Sequence, residues 1–160
     1  MPARLTRLLC LATVLALAAC AGGEDAATDG APRLEVGEAR AAEPVGGASQ
    51  IVLDVTNRGD ADDRLVAVEA DAAVAVEIHE TRIEEGRASM VELSEVTIPA
   101  EATVRFRPGG LHLMLVAPDD SVVLGGTFPV TLHFAASGEL QVDVEVVDQL
   151  DLAESTFEAP

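Results

Sequence analysis

From residue 34 onward the chain alternates apolar and polar residues in short runs rich in Val, Leu and Ile, and no long segment repeats its apolar residues at a helical period. A period of two is the mark of strands with one buried face. The runs fall at residues 34–41, 49–56, 65–69, 74–81, 88–93, 96–99, 103–106, 111–117, 126–134 and 140–147. Turn residues separate them: Pro44 with Gly46 and Gly47, Asn57-Arg58-Gly59-Asp60, Glu84-Glu85-Gly86-Arg87 as a hairpin, and Pro108-Gly109-Gly110. The pattern predicts an all-β sandwich or barrel, a single domain over residues 34–148. Residues 149–160 are acidic and read as a tail.

Alternation also sorts the side chains by face. In the run from Val74 to His79, Val74, Val76 and Ile78 share the core side, while Ala75, Glu77 and His79 point the other way. In Met90-Val91-Glu92-Leu93, Val91 and Leu93 go inward, leaving Met90 beside Glu92. In Leu111-His112-Leu113-Met114-Leu115 the leucines face the core, so His112 and Met114 project together from the opposite face. A lone Met is usually core filler, and a lone strand His is usually solvated. Yet both non-initiator methionines and two of the three histidines sit off the apolar face, and chance is a poor account of all four. The remaining His133 alternates outward with Thr131 and reads as a solvent-facing residue without a metal role.

The N-terminus changes the picture of where this domain works. Arg4 and Arg7 precede an apolar stretch from Leu8 to Ala19, and Leu17-Ala18-Ala19-Cys20 closes it. This reads as a signal peptide over residues 1–19, too short for the roughly 20 apolar residues of a membrane-spanning helix. The ending resembles a bacterial lipobox, with Cys20 as the lipidated residue and 20–33 as a flexible tether to the membrane. Export and anchoring at the extracytoplasmic face, in the periplasm or at the cell surface, follow. Cys10 would leave with the signal and Cys20 would be consumed by lipid, so the folded domain holds no thiol, disulfide or thiolate site.

The 160 residues include 10 Arg, no Lys and 28 Asp plus Glu, for a formal net charge of −18. Nucleic acid is excluded as a partner by that balance, and the absence of Trp and Tyr removes aromatic stacking platforms. Two imidazoles and two thioethers select a soft ion: sulfur of this kind suits Cu(I), whereas Zn²⁺ normally recruits thiolate or carboxylate. His79, Met90, His112 and Met114 are therefore the candidate copper ligands. Glu77, Glu80 and Glu92 lie nearby and receive no ligand role.

The order and gaps of these four residues, H-x10-M-x21-H-x-M, resemble the periplasmic copper chaperones known as PCuAC. Flanking text agrees, in Asn57-Arg58-Gly59-Asp60, Asp63-Arg64-Leu65, Ile78-His79-Glu80-Thr81, Ile98-Pro99-Ala100 and the run from Pro108 to Leu115. The resemblance covers roughly residues 34–147 and implies a cupredoxin-like Greek-key β-sandwich that holds Cu(I) and passes it on. Recipients it implies are the dinuclear copper centre of a cytochrome oxidase subunit, alongside Sco-type thiol proteins. Many members have further methionines near the hairpin, or a His- and Met-rich tail. Here Ile83 and Ala88 stand at the hairpin and the C-terminus has neither residue type, so a Cu(II) site of that kind is not carried over.

Three other functions compete with the copper carrier. A blue-copper electron carrier needs a Cys thiolate with two His, which the processed domain lacks. A metal-free β-sandwich lipoprotein acting as a protein-interaction module would make the His and Met residues incidental. An enzyme is the weakest reading, because the domain offers no thiol nucleophile, phosphate-cradling loop or Ser-His-Asp arrangement, and Asp62-Asp63 and Asp119-Asp120 read as solvated turns.

Overall fold

A computed structural model describes residues 30–154. The expected signal peptide and the lipidation site at Cys20 lie outside these residues, as does the tether up to residue 29. Eleven strands and one short helix form: β1 (Leu34–Val36), β2 (Ala39–Ala42), β3 (Ala48–Asn57), β4 (Asp63–Glu69), β5 (Ala73–Glu84), β6 (Arg87–Glu92), β7 (Val96–Ile98), β8 (Thr103–Phe106), β9 (Leu111–Pro118), β10 (Thr127–Phe134), β11 (Gly138–Val147) and α1 (Gln149–Glu154). Every run read from the alternation is a strand, with the first divided at residues 37–38.

The ladder runs β6-β5-β9-β3-β2-β11-β10-β4-β7. All pairings are antiparallel except β11 with β2. Joining the last strand to one of the first in parallel is the crossover that makes this a Greek-key sandwich of cupredoxin-like type. Strand β3 is its pivot. Its first half lies between β2 and β9, and its second half pairs β1 and β8. At the change of neighbours Ile51, Val52 and Leu53 are all buried, because Ile51 and Leu53 face the core while Val52 is covered from outside.

The core is aliphatic, as the composition requires. Leu65, Leu113, Leu115, Leu132, Val55, Val130, Val144, Ile51 and Ile98 are fully enclosed with Phe106, each such side chain contributing roughly 1.5–3 kcal/mol of burial. The leucines of β9 point inward as expected. Val74 departs from the pattern: the second residue of β5, it is 81% exposed, whereas Ile78 is buried and Val76 packs against the core.

Both expected flanks are more ordered than their composition suggests. Residues 31–33 at the end of the tether are pinned to the turn after β3. The Arg33 amide donates to Asn57 Oδ1 (3.1 Å) and the Arg58 amide to the Arg33 carbonyl (2.8 Å). A Cβ at Gly59 would lie 2.1 Å from the Ala31 carbonyl oxygen, so only glycine allows that approach. At the other end, residues 149–154 form α1 where a tail was expected. Leu152, 2% exposed, packs with Ala42 and Val52 on the outside of the sheet, and Asp148 caps the helix through the amides of Leu150 (2.7 Å) and Asp151 (2.8 Å).

Candidate metal centre

The β5–β6 hairpin sets the first part of the site. Glu85 (φ 51°) and Gly86 (φ 78°) both take the left-handed conformation, the geometry of a two-residue type I′ turn. That turn fixes Glu84 opposite Arg87 and, counting back, Thr81 opposite Met90 and His79 opposite Glu92. On its other side β5 pairs β9, with His79 opposite His112 and Glu77 opposite Met114. One rung of the sheet therefore reads Glu92, His79, His112 across three strands. Met90 belongs to the next rung toward the hairpin, and Met114 to the rung on the opposite side. All of these side chains share the face away from the leucines.

The two histidines are brought together. Their ring centroids lie 5.9 Å apart with the planes at 89°. His112 is 0% exposed, and its Nδ1 lies 2.9 Å from the Gly110 carbonyl oxygen, which also accepts the Thr81 amide at 2.9 Å. A carbonyl can only accept, so Nδ1 holds the hydrogen and Nε2 keeps a lone pair in the neutral ring. Nε2 is buried and has no hydrogen-bond partner among the described residues. His79 is arranged the other way round. Its Nε2 is 3.0 Å from Glu77 Oε2, and its Nδ1 is the buried atom without a partner. Two adjacent imidazoles thus each have one nitrogen oriented by a neighbour and one left bare, an arrangement typical of metal-binding histidines.

The methionines bracket this pair without forming a compact square with it. Met114 is half-buried, two residues along β9 from His112, roughly 6–7 Å at strand spacing. Met90 is 57% exposed on the edge strand β6, diagonal to His79. Three rotatable bonds let a thioether cover such a gap. Where the alternation pointed all four candidates toward solvent, His112 is instead wholly enclosed and the His79 side chain is only 14% exposed. The face opposite the core is itself partly covered: Val52, Ala42 and Leu152 bury a second, smaller cluster on it, and residues 107–110 fold back across the start of β9 through the Arg107 amide to the Leu111 carbonyl (2.6 Å) and the Gly110 amide to the Arg107 carbonyl (3.2 Å).

Glu77, His79 and Glu92 place ligand atoms within 4.8 Å of one another, so two of the three glutamates given no ligand role in the sequence reading lie beside the histidine rung. Their signal was the same two-residue step that singled out the others. Glu80 is on the other face of β5, paired with Arg82 at 2.7 Å. His133 lies elsewhere on the sheet, half-buried between Glu69 (3.5 Å) and Glu139 (3.4 Å), where the sequence reading had it facing solvent.

A family model described as "Putative lipoprotein LpqE-like" matches residues 33–146. The chain belongs to this LpqE-like family. Curated relatives include "Putative lipoprotein Lxx21020" of Leifsonia xyli subsp. xyli (strain CTCB07), 34% identical over 96 residues, which are 59% of this chain and 58% of that protein. The protein RP573 of Rickettsia prowazekii (strain Madrid E) is 28% identical over 101 residues, 62% of this chain and 56% of its own. The chain thus spans under three fifths of the length of either relative. Among solved structures, the copper-bound PCuAC domain from PmoF2 superposes with a TM-score of 0.61 at 24% identity, covering 72% of this chain and 92% of that one. The Cu(I) form of DR1885 from Deinococcus radiodurans gives 0.62 at 25% identity, covering 78% and 85%. The LpqE-like chain therefore has the fold of PCuAC domains, in line with the resemblance in its sequence. No helix among the described residues is long and apolar enough to cross a membrane.

Proposed function

We propose that this protein is an extracytoplasmic Cu(I) carrier, anchored through lipidated Cys20, that holds one ion between His79 and His112 with Met90 and Met114 completing the donor set. The observation that supports this most is the histidine rung, where two neighbouring rings leave Nδ1 of His79 and Nε2 of His112 bare and buried. Bare nitrogens with thioethers on either side form a neutral, soft donor set, which favours Cu(I) over hard divalent ions. Two of the similar structures hold copper, one of them as Cu(I), which adds to the reading.

The unequal exposure of the ligands suggests how cargo is released. His112 anchors the ion from inside the sheet, while Met90, exposed on an edge strand, is the ligand a recipient can displace first. Transfer then passes through an ion shared by both proteins, with a recipient thiolate, thioether or imidazole taking the place of Met90. The dinuclear copper centre of a cytochrome oxidase subunit is the recipient that the sequence resemblance favours, with a Sco-type protein as a co-worker. We assign no catalysed reaction.

Titrating the detergent-solubilised protein against a chromogenic Cu(I) chelator tests the proposal. One equivalent should be withheld from the chelator, and Met90→Leu with Met114→Leu should weaken binding at least about 100-fold, as befits loss of two direct ligands. No competition, or unchanged competition by the double variant, would reject it.

A further inference from the structure

The carboxylates beside the histidine rung are not explained by a soft-ion site. Glu77 and Glu92 lie on one face with ligand atoms within 4.8 Å of each other and of His79, and no arginine pairs with either among the described residues. Of the nearest arginines in sequence, Arg82 is taken by Glu80 on the other face and Arg87 sits at the hairpin opposite Glu84. Two carboxylates at that spacing repel each other unless a cation lies between them. A second, independent feature points to the same spot: His112 is fully buried, its Nε2 lacks a partner, and its ring stands edge-on to that of His79.

We propose that the site has a second binding mode, taking a divalent borderline cation of the Zn²⁺ type through Glu77, His79 and Glu92 with a solvent molecule in the fourth position, and that this mode excludes Cu(I). The inference extends the copper reading by giving the same site a competing cargo. One imidazole and two carboxylates, with a solvent molecule as the fourth ligand, are an ordinary coordination set for Zn²⁺, with bonds of about 2.0–2.2 Å. His79 Nε2 and Glu77 Oε2, 3.0 Å apart, are near enough to share one such ion once the ring proton moves from Nε2 to the bare Nδ1, which keeps the imidazole neutral. Thioethers contribute nothing to this mode, and Glu92 contributes nothing to the soft one. With its proton on Nδ1, His79 has no lone pair left for Cu(I), so the two ions cannot be held together.

The test uses the full chain in detergent, first free of copper, titrated with Zn²⁺ in competition with a chromogenic zinc indicator. One equivalent of Zn²⁺ should bind. Glu92→Gln should weaken Zn²⁺ at least about tenfold while leaving Cu(I) affinity within about threefold, and Met114→Leu should do the reverse, weakening Cu(I) and sparing Zn²⁺. Glu77→Gln provides a second variant for the Zn²⁺ arm. One equivalent of Cu(I) added to the zinc-loaded protein should either release the zinc or fail to load. The inference is overturned if the protein does not compete for Zn²⁺, if both glutamate variants retain wild-type Zn²⁺ affinity, or if Zn²⁺ and Cu(I) are bound together. Any of these with Cu(I) binding intact leaves the carrier reading standing; loss of Cu(I) binding with the Zn²⁺ arm intact removes only the carrier reading.

Discussion

Asn57 is wholly buried, and all of its polar side-chain atoms are engaged. Its Nδ2 donates to the carbonyls of Ala61 (2.7 Å) and Ile98 (3.2 Å), while Oδ1 accepts the amides of Gly59 (2.9 Å) and Arg33 (3.1 Å). One side chain thereby ties the start of the domain, the turn after β3 and the end of β7. Asn57→Ala would strand several buried backbone groups, each worth about 1 kcal/mol, so a loss of about 2–4 kcal/mol in thermal or denaturant unfolding is expected. Asp63 does similar work with a charge. Burial alone would raise its pKa, but hydrogen bonds from the amides of Ala136, Arg64 and Ser137 outweigh that and hold the carboxyl below its ordinary 3.8. A depressed folded pKa means stability that is complete above the unfolded value, near pH 4, and lost as pH falls through the lower folded value. Asp63→Asn should therefore be clearly less stable than wild type at pH 7, with the gap closing below pH 4 in acid titrations followed by circular dichroism. A gap independent of pH would show that the charge is not what matters. Neither role was legible in the sequence: Asp63, read as part of a solvated turn, is 2% exposed, and the two side chains reach backbone 41 to 74 residues away.

Among the elements, the β5–β6 hairpin most directly controls the metal centre, since its turn alone sets Met90 and Glu92 on the histidine face. Glu85 is a poor residue for φ > 0, so Glu85→Asn should stabilise the hairpin by about 0.5–1 kcal/mol, and Gly86→Ala should destabilise it by about 1–2 kcal/mol. Hydrogen exchange of the β6 amides is the direct readout, and protection should move in those two directions. Equal protection in all three proteins would mean that the ladder with β5, not the turn, fixes the register. How much of this was readable follows from what alternation reports. It told that His112 and Met114 oppose Leu111, Leu113 and Leu115, and that His79 opposes Ile78, and these assignments hold. It could not tell that β5 lies between β6 and β9, nor that the second face is covered near Val52, because a period of two separates faces without naming what lies over them. The helix at 149–154 was missed for a related reason: six residues with a single buried anchor, Leu152, give too little periodicity to register.

At the scale of the whole molecule the balance of charge decides how these elements behave in solution. The cross-strand and loop ion pairs, such as Arg58 with Glu35 (2.6 Å) and Arg107 with Asp54 (2.7 Å), are at the surface or partly exposed, where such a pair contributes about 0–1 kcal/mol. Ten arginines against 28 carboxylates leave most of the acidic side chains with no cation to meet. Long-range repulsion among them opposes the compact state, and it is the part of the electrostatic energy that salt removes, since the Debye length shrinks from about 30 Å at 0.01 M to about 3 Å at 1 M. Short pairs at contact distance lose less on the same change. Raising sodium chloride from 10 mM to 0.5 M should therefore raise the melting temperature of the apo protein by several degrees, in scanning calorimetry or thermal circular dichroism at pH 7. Near pH 4.2, where the sequence carries no net charge, the salt effect should vanish. A melting temperature that falls with salt at pH 7 would mean that the arginine pairs outweigh the net charge. In that case the acidity belongs to cation capture near Glu77 and Glu92 more than to the behaviour of the fold.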